Sequence, residues 1–180
     1  MIRVEVDAAS LSRVQKKLGT MKSKAPQVIA KGLNQTAKQA RKRLAEKAQQ
    51  AYTVKTGKFN KNMKIKNATA GNLEAEIRSQ GKPMNITNFK YSAPASGAKS
   101  QIVASGGLKQ LIMGNIKAFK GKNGLIWQRR SAARMPVKPL KSNSIPIMIG
   151  SEKRVYGIVK PHIESDLKKN IEKQIKALVG

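Results

Sequence analysis

Side chains able to make or break bonds are scarce in this 180-residue chain. There is one histidine, His162, and there is no cysteine, which excludes a thiolate nucleophile, a disulfide framework and a thiolate zinc site. His162 follows Pro161 near an expected helix start. It is read as a surface or interface histidine, because a general base needs a group that positions it. Glu74 and Glu76 stand two apart, which on a strand puts both carboxylates on one face. Such a pair could hold a cation, although basic neighbours are the simpler explanation. No spacing of His, Asp and Glu resembles a metal site. Lys55-Thr56-Gly57-Lys58 imitates the end of a phosphate-binding loop, but Phe59 stands where that motif needs Ser or Thr, so the stretch is read as a helix stop. Gly106-Gly107, Gly114, Gly121 and Gly124 lack the strand–glycine–helix context of a dinucleotide site. No catalytic residue, metal or cofactor is therefore expected, and the chain is not expected to be an enzyme.

Charge is the chemistry that remains. The chain has 37 Lys and Arg against 9 Asp and Glu, a formal net charge of +28. Between Ala8 and Leu73 the sole acid is Glu46, against sixteen Lys and Arg; between Ile77 and Ser151 there is none, against thirteen. Self-repulsion on this scale is best tolerated beside a polyanion or an acidic protein. Arg41-Lys42-Arg43, on a helix, are the candidate contacts to phosphate or to an acidic partner. A sheet that stacks RNA bases needs adjacent aromatics on one face. Phe119 and Trp127 look isolated and are assigned to core packing. If DNA is contacted, the contact is expected to be backbone charge without sequence readout.

The elements that must position these residues follow from periodicity. Ile2, Val4 and Val6 alternate with polar residues, the pattern of a short strand. Ser10 is expected to cap a short helix that Gly19 ends. From about Lys24 to Tyr52, Ile29, Leu33, Ala37, Ala40, Leu44, Ala48 and Ala51 recur at helical spacing, with Pro26 in the first turn. Such a helix spans about 40 Å, so part of it is expected to pack on another subunit. Residues 63–68 and 73–78 form a hairpin around Gly71-Asn72. Residues 91–107, rich in Gly, Ala and Ser, are expected as a flexible loop or arm, with a short strand at Ile102–Ala104. Two strands are expected around Gly121–Gly124. Residues 132–149, with prolines at 136, 139 and 146, are expected to be extended. Val155, Val159, Ile163, Leu167, Ile171, Ile175 and Leu178 mark a C-terminal helix that kinks or restarts at Pro161. Glu164 and Asp166 would then fall in its first turn. The N-terminus does not look like a signal peptide and no apolar run approaches the length of a membrane span. A soluble intracellular product is the default expectation.

A run of short motifs adds to this reading. Gly81-Lys82-Pro83-Met84-Asn85-Ile86-Thr87-Asn88-Phe89 is followed by Ala118-Phe119, then Gly124-Leu125-Ile126-Trp127-Gln128-Arg129-Arg130. Arg134-Met135-Pro136-Val137-Lys138-Pro139-Leu140 and Ser144-Ile145-Pro146-Ile147-Met148-Ile149-Gly150 complete it before the charged C-terminal helix. With the upstream helix, Tyr52-Thr53-Val54-Lys55 and the Leu73-Glu74-Ala75 hairpin, this order resembles the minor tail protein Z family of lambda-like tailed phages and prophages. The resemblance covers roughly residues 25–178 and rests on motif order and spacing. The sequence departs from the family pattern at Lys141-Ser142-Asn143-Ser144, where a Gly-Pro turn is usual, and in the 91–107 segment.

The resemblance implies a virion structural protein that completes the tail at the neck, where the finished tail meets the DNA-filled head. It implies a homo-oligomeric ring, commonly of six subunits, with tail-tube or terminator and head-connector proteins as partners. It places the chain in the virion, and in the host cytoplasm during assembly. Trp127, Gln128, Arg129, Arg134, Pro136 and Pro146 are the candidate interface or lumen residues, with ordinary core packing as the alternative for Trp127, Pro136 and Met148. The expected fold is a single α+β domain over 1–180, with a small, mostly antiparallel sheet flanked by long N-terminal and C-terminal helices. The alternative function is a basic, sequence-nonspecific nucleic-acid-binding protein. An enzyme acting on phosphate-rich substrates is least favoured.

Overall fold

A computed structural model describes residues 1–55 and 57–179. In chain order the elements are β1 (Ile2–Glu5), α1 (Ala8–Leu18), a 3-10 segment (Gly19–Lys24), α2 (Ala25–Ala51), the single turn α3 (Lys58–Lys61), β2 (Met63–Lys66) and β3 (Glu74–Ser79). Then come β4 (Met84–Asn85), β5 (Lys90–Ser92), β6 (Lys99–Gln101), β7 (Lys109–Gln110), β8 (Ile112–Met113), β9 (Ile116–Lys117), β10 (Phe119–Lys120), β11 (Ile126–Arg129), β12 (Val137–Pro139) and β13 (Lys141–Ser142). The short α4 (Ile145–Ile149) and the long α5 (Tyr156–Val179) end the chain. The architecture is α+β, with small antiparallel sheets and two long helices.

The apolar stripe of α2 is the centre of the main core. Ile29, Leu33, Ala37, Ala40, Leu44 and Ala48 are all buried within this one chain. The chain's own sheet, α1, α4 and α5 cover this stripe. The covering sheet has the order β1-β3-β2 and sets Val4 opposite Ala75 and Ile65 opposite Ile77.

Against the other side lies α5, running antiparallel to α2, since Gly32 meets Ile171 while Arg43 meets Asp166. A side chain at Gly32 would put its Cβ 2.8 Å from Ile171 Cγ1, so glycine sets how closely the helices approach. Asn170 Nδ2 donates to Thr36 Oγ1 and Gln39 Oε1, each at 2.9 Å, and the Thr36 hydroxyl donates to the Gly32 carbonyl at 2.8 Å. These bonds satisfy buried polar groups and fix the sliding register of the pair.

Several local expectations are corrected. Asp7, not Ser10, caps α1: its Oδ1 accepts from the Ser10 amide at 2.8 Å. Helix α5 is one helix from Tyr156 with Pro161 inside it, so Glu164 and Asp166 lie beyond its first turn. Residues 132–149 are not extended throughout: Pro146 sits in the first turn of α4, where its missing N–H costs nothing. The 91–107 segment is not an arm. It carries parts of β5 and β6, which pair Tyr91 with Ser100, and Ala98 is fully buried. Small residues serve there because strands cross closely: the Ala98 amide donates to Ala118 and its carbonyl accepts from Leu111. The expected strand at 102–104 reduces to a bridge between Val103 and Tyr52.

The stretch from β4 to β13 forms its own lobe around a second core of Ile86, Ala98, Ala118 and Ile126. It is tied to the end of α2 by backbone bonds from Thr53 to Ile102 and from Ala104 to Ala51. The Thr53 hydroxyl also donates to the Gln101 carbonyl and accepts the Lys90 amide.

Candidate functional site

The sequence-stated residues divide once the registers are known. In the sheet β10-β11-β12, Phe119 lies opposite Trp127, Trp127 opposite Pro139, and Arg129 opposite Val137. Directly opposed residues share a face, so these five stand on one side of the sheet. Ile126 and Gln128 alternate to the other side and are buried. Gln128 Nε2 donates to the Ile116 carbonyl at 2.9 Å, which makes Gln128 a residue that holds the lobe together and removes it from the exposed site.

The open face forms a cleft of about 550 Å³ lined by Phe119, Gly121, Lys122, Asn123, Trp127, Arg129, Arg134, Met135 and Val137. Phe119 and Met135 are 37% and 65% exposed. The core assignment of Phe119 and Trp127 is therefore corrected, and so is their isolation: the hairpin pairs them. The Trp127 indole lies against the backbone of Gly121, where a Cβ would come within 2.6 Å of it, and its Nε1 donates to Asn123 Oδ1 at 3.0 Å. The Arg129 guanidinium sits 5.7 Å from the centre of the Phe119 ring, a cation–π arrangement.

Of the expected interface residues, Trp127, Arg129 and Arg134 come together here. Pro136 is exposed in the adjoining loop, where its carbonyl accepts the Arg130 amide at 3.2 Å. Pro146 lies elsewhere, beside Ile149 and Tyr156 near the first strand. Met148 is core. Phe119, Lys122, Met135 and Val137 join the cleft without having been singled out as site residues. The signal for Phe119 was the hairpin itself, since residues 119 and 127 are equidistant from Asn123 at the turn.

The basic run on α2 is split. Arg43 reaches Asp166 of α5 at 3.1 Å, Lys42 approaches Glu46 at 3.9 Å, and Arg41 is half-buried. Arg43 thus joins the two long helices. Glu74 and Glu76 are each held by an arginine: Arg3 Nε lies 3.1 Å from Glu74 and Arg78 lies 2.5 Å from Glu76. Burial pushes the Glu76 carboxyl up, but the hydrogen bond and charge of Arg78 outweigh it and leave Glu76 below the ordinary carboxylate range. His162 is exposed on α5. The Lys55–Lys58 stretch includes Thr56, which is outside the described residues; Gly57 follows with φ +82 and leads into α3.

Among the described residues there is no cluster of three or more His, Cys, Asp or Glu able to hold a metal, and no helix long and apolar enough to cross a membrane. No family model matches the chain, and no curated protein or solved structure matches it either.

Proposed function

We propose that the chain is a virion structural protein of a tailed phage or prophage, a tail-completion or neck protein that forms a ring joining the tail tube to the head connector. The observation that carries this reading is the ordered run of motifs from Gly81 to Gly150. Its residues Trp127, Arg129 and Arg134 converge on one open face of a lobe that contains no acid. A surface built this way serves contact with another macromolecule better than turnover of a small substrate. Light scattering at high salt tests the ring. The expected result is a single species with a mass several times that of the 19.7 kDa chain. A strict monomer at every concentration would remove the ring from the reading.

The acid-free lobe also favours a second reading, a sequence-nonspecific nucleic-acid-binding protein. Duplex DNA titrated across a salt series separates the two. A steep fall of log K with log salt, with binding retained at physiological ionic strength, supports nucleic acid. A shallow slope or no binding argues against it.

A further inference from the structure

The cleft on β10-β11-β12 joins two properties that together specify the kind of partner it fits. Its floor is apolar, made by Phe119, Trp127, Met135 and Val137, and its rim carries Lys122, Arg129 and Arg134. Exposed apolar side chains gathered in one concavity gain free energy when a partner removes them from water. The charge around them is of one sign. The sequence has no acid between Ile77 and Ser151, and among the described residues no cation between Ser79 and Ser151 makes an ion pair.

We propose that this cleft docks an extended acidic peptide segment of a protein partner, with one apolar side chain set on the floor and carboxylates on Lys122, Arg129 and Arg134. The geometry favours a peptide over bases. Base stacking uses ring faces, and here they are partly occupied. One face of Phe119 is taken by the Arg129 guanidinium, and the Trp127 indole is laid on Gly121 and tied to Asn123. Met135 is exposed and Val137 half-buried in the cleft lining, and these aliphatic side chains suit a Leu or Phe side chain. An arginine over an aromatic ring keeps its edge donors for a bidentate carboxylate. The inference rests on the cleft alone and stands or falls apart from the neck assignment.

Trp127 is the sole tryptophan of the chain, so intrinsic fluorescence reads the cleft directly. The full-length protein is titrated with a synthetic peptide in which Asp and Glu flank a single Leu, at physiological ionic strength. The expected result is a saturable change in emission. Replacing the Leu by Ser weakens binding about tenfold, the scale of one buried apolar side chain. Arg134→Glu weakens it at least about tenfold through lost and reversed charge. Arg134 and Met135 are exposed, so Arg134→Glu and Met135→Ser leave the fold intact, and Lys31→Glu on α2 leaves binding unchanged. No saturable change with the peptide overturns the proposal, as does unaltered affinity in both cleft variants. A response to oligothymidylate but not to the peptide overturns it in favour of nucleic acid. A signal that tracks protein concentration alone overturns it in favour of a second copy of the chain. Light scattering on the same samples reports the ring separately, so either idea can fail without the other.

Discussion

Gly32 and Glu76 show how much of this molecule is decided by single side chains. At Gly32, alanine would gain about 1 kcal/mol of helix propensity. Its Cβ would also come within 2.8 Å of Ile171 Cγ1 and 3.3 Å of Ile171 Cα, and overpacking of that kind costs roughly 1–3 kcal/mol. Backbone atoms cannot step aside as a rotamer can, so Gly32→Ala is expected to lower the melting temperature followed by circular dichroism. A rise would mean that the two long helices separate easily. Glu76 lies under Arg78, and its folded-state pKa is depressed, so it stabilises the fold at pH values above its unfolded pKa. That contribution is lost as pH falls through the lowered folded pKa. Arg78→Ala removes the group that outweighs burial, and acid unfolding monitored by fluorescence is expected to begin at higher pH. An unchanged acid midpoint would show that Glu76 does not feel Arg78.

Helices and strands were unequally legible, for physical reasons. The stripes of α2 and α5 repeat over many turns, so their buried faces were readable from spacing alone. The second lobe was not, because most of its strands are two or three residues long, too short to display a period. Its pairings also join distant residues, as where Lys141 lies opposite Asn85. Alternation on β11 was the missing rule at the site: Trp127 and Arg129 face the cleft while Gln128, between them, faces the core. Proline misled at one place and left a choice at another. Pro146 reads as a helix breaker but opens α4, and at Pro161, where spacing allowed either a kink or a restart, the helix runs on through α5. Because Pro161 is exposed, Pro161→Ala loses little packing and restores a backbone donor. It is expected to raise stability by about 1 kcal/mol or more in urea unfolding. A loss of stability would assign Pro161 a role in the shape of the helix.

Across the whole molecule, charge and packing pull in different directions. The main core, with the apolar stripe of α2 at its centre, is closed within one chain. The net charge of +28 is carried by a compact body in which five of the nine acidic side chains pair with its own arginines and lysines. Screening should relieve that repulsion, so the melting temperature is expected to rise from low to moderate NaCl. A fall would show that attractive ion pairs dominate. Among the described residues the cations of the second lobe make no ion pair, and under the proposed neck role their partner is a protein of the virion. Electron microscopy of purified tail tubes mixed with this protein tests that assignment most directly. Ring-shaped density at one end of the tubes, reduced by Arg134→Glu, is the result expected of a neck protein. Bare tubes alongside free monomer would contradict the assignment.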